Sequence, residues 1–117
     1  MSSPRILLIE DEPEILEMFA HALRDEGYDV DAASTATEAR EQLNSGSPYA
    51  RVIVDWWLPD GTGVVLANQA AALGAKTFVL SGYAVTLIGA TADRHELLRK
   101  PMTPIKLIEA VHRKLSA

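Results

Sequence analysis

Acidic, hydroxyl and amino side chains follow short apolar runs in this sequence. Glu10 and Asp11 come directly after RILLI, Asp55 after VIV, Ser81 after FVL, and Lys100 two residues after a pair of leucines. Carboxylates bind hard divalent cations such as Mg²⁺, and a carboxylate can attack phosphorus to form an acyl phosphate. An ammonium and a hydroxyl can bind phosphoryl oxygens. These residue types predict magnesium-assisted phosphate chemistry if the fold brings them together.

The elements that must position these residues follow from the apolar periodicity. Apolar runs start near residues 5, 28, 51, 76 and 95, and apolar residues at helical spacing lie between them. Thr35 with Glu38, and Thr103 before Pro104, are typical of helix N-termini. Strict alternation of strands and helices favours an α/β fold whose parallel sheet carries helices on both faces. Residues 84–92 predict only a short or irregular helix, because they combine β-branched residues with a glycine.

Ligands of such sheets bind beyond the carboxyl ends of the strands, where the polar residues are expected to lie. If strands one and three are neighbours, about 4.8 Å apart, Glu10, Asp11 and Asp55 converge. Their mutual repulsion would be costly without a cation, and Mg²⁺ commonly binds through one or two carboxylates and several waters. Asp55 would then be the nucleophile, with Lys100 and Ser81 around the phosphoryl oxygens.

Composition excludes several other classes of protein. The 117 residues suit one domain, and 11 Lys and Arg against 16 Asp and Glu leave a net charge of −5, which argues against nucleic-acid binding. Cysteine is absent, which excludes disulfides, thiolate zinc sites and thiol nucleophiles. No apolar run suits a membrane span and no secretory signal is present, so we expect no membrane partner and a cytoplasmic location. His21, His95 and His112 lack metal-ligand spacing and are interpreted as helix or surface residues.

Four motifs, taken in order, resemble those of the receiver domain of two-component response regulators over essentially the whole chain. LLIEDE resembles the acidic motif of that family, VIVDWWLPDGTG its phosphoacceptor segment, VLSG its Ser/Thr-small pair and RKP its Lys-Pro pair. The resemblance implies a flavodoxin-like α/β fold with a five-stranded parallel sheet in the order 2-1-3-4-5. We expect residues 1–117 to form a single, stand-alone receiver domain without an output domain.

The resemblance also implies how the site works. Asp55 would accept a phosphoryl group from a sensor histidine kinase or a histidine phosphotransfer protein, Asp11 and Asp55 would ligate Mg²⁺, and Glu10 would act through metal-bound water. The backbone carbonyl of Trp57 would be a further ligand, and Lys100-Pro101 would carry a cis peptide bond. The protein would be a signalling phosphoacceptor with slow self-catalysed dephosphorylation rather than an enzyme, acting on a downstream protein target. The sequence leaves open whether it forms a homodimer.

Some features depart from the family pattern. Leu97 stands where the family commonly has an aromatic residue, and the spacings from acceptor to hydroxyl (26 residues) and from hydroxyl to lysine (19 residues) are short. We therefore expect any switch to run through residues 81–83 and the short fourth helix. The indole of Trp57 is expected to slow hydrolysis of the acyl phosphate by hindering the approach of water.

Three alternative functions fit parts of the same pattern. A degenerate receiver-like module would bind protein without phosphorylation, but the complete set of five polar residues argues against it. A hydrolase acting on external phosphate esters lacks an evident second acid or base close to Asp55. A flavin-binding domain lacks a phosphate-binding loop after the first strand, where Glu10 to Glu12 would repel a flavin phosphate.

Overall fold

Strands and helices alternate along the chain, as the periodicity predicts. The computed structural model describes residues 4–46, 48–82 and 95–116. The elements in these ranges are, in order, β1 (Arg5–Ile9), α1 (Pro13–Asp25), β2 (Asp29–Ala33), α2 (Ala36–Leu43), β3 (Arg51–Asp55), β4 (Trp57–Leu58), β5 (Gly61–Thr62), α3 (Gly63–Ala72), β6 (Lys76–Ser81), β7 (Glu96–Arg99) and α4 (Pro104–Ser116). None of the helices in these ranges combines the length and the apolar character that crossing a membrane requires.

The longer strands form one parallel sheet in the order β2-β1-β3-β6-β7. This order confirms the expected 2-1-3-4-5 arrangement, with the short strands β4 and β5 outside it. β1 lies beside β3, where Ile9 pairs with Val54. β3 lies in turn beside β6, where Asp55 pairs with Leu80. The strands that precede the acidic residues are therefore neighbours, as convergence of those residues requires.

The central strands are buried on both faces, which explains their uninterrupted apolar runs. Side chains of β1 alternate between the faces, so Ile6 and Leu8 pack with α1 and α4, whereas Leu7 and Ile9 pack with α2 and α3. All four side chains are fully buried. Packing on both faces holds the end of β1, and the residues that follow it, in a defined position.

The helix starts coincide with the predicted caps. Thr35 Oγ1 accepts a hydrogen bond from the Glu38 N–H (3.1 Å), and Thr103 Oγ1 accepts one from the Lys106 N–H (3.2 Å). The Glu38 carboxylate accepts hydrogen bonds from the Ser34 hydroxyl (2.7 Å) and N–H (2.9 Å). These bonds hold the pKa of Glu38 below its ordinary value. The start of α2 is thus stabilised by bonds within residues 34–38, directly after β2.

Two segments bear on the remaining expectations. Residues 56–62, which the sequence predicts as an irregular loop, contain a small antiparallel hairpin of β4 and β5, joined by Pro59 and Asp60. Strands of two residues are too short for side-chain alternation to reveal them in a sequence. Residues 83–94, which include the expected short fourth helix, lie outside the described residues.

His95 is buried, so its interpretation as a helix or surface residue is wrong. It directly precedes β7, and its Nε2 lies 2.8 Å from Asn68 Oδ1 on α3. Its Nδ1 forms a short hydrogen bond with Thr77 Oγ1 on β6. Because both ring nitrogens have partners, His95 joins three elements of the fold. His21 on α1 and His112 on α4 are exposed, as expected.

Candidate functional site

The carboxyl ends of the parallel strands place the predicted site residues at one edge of the sheet. Glu10 directly follows β1, Asp55 is the last residue of β3, and Ser81 is the last residue of β6. Lys100 directly follows β7, and its backbone N–H donates a hydrogen bond to the Ser81 carbonyl (2.8 Å). Residues far apart in the sequence therefore share one edge because the sheet is parallel.

Glu10, Asp11 and Asp55 form a cluster that we call the acidic pocket. One carboxylate oxygen from each residue lies within 4.8 Å of the others, a separation that suits a shared metal ion. Glu10 is 0% exposed and Asp55 is 6% exposed. Asp11 is the accessible member of the three. In the acidic pocket the carboxylates of Glu10 and Asp55 are therefore buried, and that of Asp11 is open to solvent.

Lys100 supplies the positive charge that faces the acidic pocket. Its Nζ lies 3.0 Å from Asp55 Oδ2, to which it donates a hydrogen bond, and 3.5 Å from Glu10 Oε1. The peptide bond between Lys100 and Pro101 is cis, which confirms the expectation. One ammonium thus contacts the two buried carboxylates, and Asp11 adds a third negative charge to the cluster.

Burial dominates the electrostatics of the acidic pocket. Burial, reinforced by the charge of Asp55, raises the pKa of Glu10 to about 7. Burial also raises the pKa of Asp55, although the hydrogen bond from Lys100 opposes the change. Burial alone would lower the pKa of Lys100, but its hydrogen bond and attraction to Asp55 outweigh this effect, and the pKa is raised. The lysine therefore stays cationic, and the surplus negative charge is held where water solvates it poorly.

Glu10 offers a direct test of whether the pocket suits a metal ion. Its Oε2 accepts a hydrogen bond from the Glu12 N–H (3.1 Å). Its Oε1 is buried and has no hydrogen-bond partner among the described residues, with only the Lys100 ammonium in ion-pair range. A buried carboxylate oxygen without a donor is costly unless another cation reaches it, directly or through water. The donor set consists of hard oxygens, and it fits Mg²⁺.

Ser81 and the two tryptophans surround the acidic pocket in different ways. Ser81 is buried, one position beyond Leu80, the residue that pairs with Asp55. Trp56 is partly buried against the core on the α2 and α3 side, whereas Trp57 is 56% exposed. The two indoles meet edge to face with centroids 6.5 Å apart. Trp56 therefore contributes to packing, and Trp57, two residues after the acceptor, is available to solvent.

Gly63, the first residue of α3, packs directly against the backbone of Asp55. A Cβ atom at this position would lie 2.1 Å from the backbone oxygen of Asp55 and 2.8 Å from Val54 Cγ2. The Gly63 N–H also donates a hydrogen bond to the Trp56 carbonyl (2.7 Å). A side chain here would displace the acceptor strand. The glycine is visible in the LPDGTG motif, but only the structure gives the reason for it.

Asp60, in the turn of the hairpin that follows Asp55, makes contacts that sequence reasoning missed. Its carboxylate accepts hydrogen bonds from the N–H groups of Ala36 (2.7 Å) and Thr37 (3.0 Å) and from the Thr37 hydroxyl (2.8 Å). These bonds, chiefly the one from Ala36, lower the pKa of Asp60. No local pattern could have revealed this contact, because it joins a hairpin turn to a helix more than twenty positions earlier, a separation of 24 residues for Ala36.

Known proteins are similar to this chain in both sequence and fold. A family model described as the response regulator receiver domain matches residues 6–112. The sensor protein TorS of Escherichia coli is 36% identical over 87 residues, covering 74% of this chain and 9% of TorS. The transcriptional regulatory protein AruR of Pseudomonas aeruginosa is 27% identical over 113 residues, covering 90% of this chain and 46% of AruR. The chain spans less than half the length of either relative.

Solved structures agree over almost the full chain. A CheY-like response regulator receiver domain protein from Methanospirillum hungatei superposes with a TM-score of 0.88 at 30% identity, covering 98% of this chain and 95% of that one. The response regulator TrrA from Thermotoga maritima, solved in complex with Mg²⁺ and BeF, gives a TM-score of 0.81 at 30% identity, covering 94% and 97%. The sequence motifs, the sheet order and these similarities agree, and the chain belongs to the receiver domain family of two-component response regulators.

Proposed function

We propose that Asp55 accepts a phosphoryl group, in a reaction that requires Mg²⁺, from a phosphohistidine of a sensor histidine kinase or a histidine phosphotransfer protein. The observation that carries this proposal is the acidic pocket itself, in which three carboxylates lie within 4.8 Å and Lys100 Nζ lies 3.0 Å from Asp55. Such a group of buried like charges is unfavourable as a purely structural feature. It suits a site that receives a cation and an anionic phosphoryl group together.

In the proposed step an oxygen of the Asp55 carboxylate forms a bond to phosphorus while the phosphorus–nitrogen bond of the donor breaks. The imidazole leaves with the electron pair and takes up a proton, and Asp55 becomes an acyl phosphate. Lys100 already contacts the attacking carboxylate, so its ammonium can bind the incoming phosphoryl oxygens with a small displacement. The Ser81 hydroxyl would donate to another phosphoryl oxygen, which its position beside β3 supports.

The residues proposed to hold the ion are Asp11, Asp55, the backbone carbonyl of Trp57 and, through water, Glu10. When bound, Mg²⁺ supplies positive charge that offsets the repulsion between a carboxylate nucleophile and phosphoryl oxygens. The buried Glu10 Oε1, which has no hydrogen-bond donor within the described part of the chain, supports this assignment. So does TrrA, a relative by fold and sequence, which was solved with Mg²⁺ and BeF.

The proposed role is signalling rather than turnover. The acyl phosphate would hydrolyse slowly, assisted by the same site, and its lifetime would set the duration of the signal to a downstream protein target. The similarity to the sensor protein TorS supports a pathway that includes a histidine kinase.

Phosphorylation by a small donor tests the proposal without knowledge of the partner kinase. The protein is incubated with acetyl phosphate, with and without Mg²⁺, and intact mass is measured. We expect a mass increase of one phosphoryl group that needs Mg²⁺ and disappears in Asp55→Asn. Asp31→Asn is the matched control, because Asp31 lies on β2 and bonds to Arg5 and Tyr49 rather than to the acidic pocket. Labelling of Asp55→Asn, or no labelling of the unmodified chain, would contradict the proposal, and the second result would favour a non-phosphorylated binding module.

A further inference from the structure

The hairpin of β4 and β5 is held together by a very short ladder. Its ladder consists of two residue pairs, Trp57 with Thr62 and Leu58 with Gly61. A hairpin this short is not stable by itself. Leu58 is buried and anchors one strand in the core, whereas Trp57 and Gly61 are exposed. The turn at its tip therefore needs a separate attachment if the hairpin is to keep one position.

Asp60 provides that attachment through the first turn of α2. Its Oδ1 accepts from the Ala36 N–H (2.7 Å), and its Oδ2 accepts from the Thr37 N–H (3.0 Å) and hydroxyl (2.8 Å). The first N–H groups of a helix have no partner inside the helix, and the helix dipole favours a negative charge there. Thr35 already caps Glu38 from within the chain, so Asp60 satisfies donors that the local cap does not reach.

The same segment of chain that receives Asp60 also contacts the acidic pocket. The Glu10 N–H donates a hydrogen bond to the Ala33 carbonyl (3.0 Å), which lies three residues before Ala36. The bonds of Asp60 complete a path that runs from Glu10 through residues 33–37 to the hairpin and then through Trp56 to Asp55, which lies beside Glu10 in the acidic pocket. Along this path the hairpin tip and the acidic pocket are held relative to each other.

We propose that Asp60 is a positioning residue for the metal site, which sets the position of the hairpin and of the Trp57 carbonyl relative to the acidic pocket. This inference rests on the proposed magnesium site, and it adds a residue that contacts neither the ion nor the phosphoryl group. Groups that orient metal ligands from outside typically affect metal affinity strongly when removed. Loss of the Asp60 carboxylate should therefore weaken Mg²⁺ binding although it lies outside the acidic pocket.

The test compares Asp60→Ala and Asp60→Asn with Glu38→Gln. Glu38 is the matched control, because its exposed carboxylate also bonds to backbone at the start of α2, but it accepts hydrogen bonds from Ser34 rather than from the hairpin. Mg²⁺ affinity is measured by titration of MgCl₂ into isotope-labelled protein, followed through amide chemical shifts. Hydrogen exchange of the backbone amides at residues 57, 58 and 60–62 is measured on the same samples.

We expect Asp60→Ala to weaken Mg²⁺ affinity about tenfold and to speed hairpin exchange. Asp60→Asn should have a Mg²⁺ affinity between that of Asp60→Ala and that of the unmodified chain, because an amide keeps one acceptor oxygen. Glu38→Gln should lower thermal stability while leaving the affinity and hairpin exchange unchanged. Unchanged affinity in Asp60→Ala, or equal weakening in Glu38→Gln, would overturn the inference and leave the proposed function intact. Absence of Mg²⁺ binding by the unmodified chain would overturn both.

Discussion

Two polar clusters in the same sheet show how burial decides what a group of charges can do. The acidic pocket lies beyond the carboxyl ends of β1 and β3. The second cluster, which we call the Arg5 cluster, consists of Arg5, Asp31 and Tyr49 and lies toward the amino ends of these strands. There Arg5 bonds to Asp31, the Tyr49 hydroxyl donates to Asp31 (2.7 Å), and the guanidinium lies 4.4 Å above the Tyr49 ring.

The clusters differ in where their negative charge lies. The side chain of Asp31 is 34% exposed, so water shares its charge with Arg5 and Tyr49. The side chain of Glu10 is 0% exposed and that of Asp55 is 8% exposed, and they share one lysine. Burial and the bond to Asp31 raise the pKa of Tyr49 to about 12, which keeps it a donor. In the Arg5 cluster Arg5 pairs with Asp31, although Arg5 Nη1 is buried without a hydrogen-bond partner among the described residues. The acidic pocket instead has three carboxylates beside one ammonium, and it needs a further cation.

The largest loss of stability is expected at Gly63, which leaves no space for a side chain beside β3. Gly63→Ala would place a Cβ atom 2.1 Å from the Asp55 backbone oxygen, so the strand or α3 must shift. We expect a loss of about 3 kcal/mol in the free energy of unfolding, with reduced phosphorylation of Asp55. Urea unfolding and intact mass measure the two effects. Gly82→Ala at the same edge is the control, because no atom of the described residues lies within 4 Å of its Cβ position. Equal stability of both variants would refute this assignment.

The next effect concerns the surplus charge of the acidic pocket. The pKa of Glu10 is raised from 4.5 to about 7, so its ionised form destabilises the folded protein above that pH, and the penalty is relieved as the pH falls toward 4.5. In the presence of EDTA, Glu10→Gln should therefore be more stable than the unmodified chain, by on the order of 2 kcal/mol at about pH 8. The difference should shrink at about pH 5, where the unmodified chain also holds the proton.

Urea unfolding at the two pH values measures this difference. Asp31→Asn should instead lose stability at both, because it removes a partner of Arg5 and Tyr49. If Glu10→Gln were the less stable protein at the higher pH, the contrast between the two clusters would be wrong.

A smaller effect is expected at the Arg5 cluster. Tyr49→Phe removes one hydrogen bond to Asp31, and Arg5 remains as a partner, so we expect a loss of about 1 kcal/mol. The loss should be the same with and without Mg²⁺, and phosphorylation should be unchanged. Thermal unfolding with and without the ion checks the first expectation and intact mass the second. A change in phosphorylation would show that the two clusters are coupled.

The smallest effect on stability is expected for Trp57→Asn. This variant should instead change the rate at which the acyl phosphate hydrolyses. The indole is 56% exposed, so its removal should change the free energy of unfolding little. If its bulk hinders water, the acyl phosphate on Asp55 should hydrolyse severalfold faster in the variant. The half-life of the phosphorylated protein, followed by intact mass after removal of the donor, measures this. Trp56→Phe, at the partly buried neighbour, serves as the comparison. An unchanged half-life would reject a shielding role.

Much of the fold could be predicted because burial on both faces of a sheet requires apolar runs. Those runs identified β1, β3 and β6, and the capping pattern located the start of α2 at Thr35. The hairpin at residues 57–62 was missed, since two-residue strands carry no periodicity. His95 was assigned to a helix or the surface, because its burial depends on Thr77 and Asn68 from two other elements.

The sequence by itself determined which residues end the apolar strands, and therefore which carboxylates, hydroxyl and ammonium share one edge of a parallel sheet. Only the tertiary structure decided that Lys100 bonds to Asp55 across 45 positions, that Glu10 Oε1 has no hydrogen-bond donor among the described residues, and that Asp60 bonds to the start of α2. The physical reason is that strand pattern is a local property of the chain. Burial and hydrogen bonding between distant side chains exist only once the elements have packed.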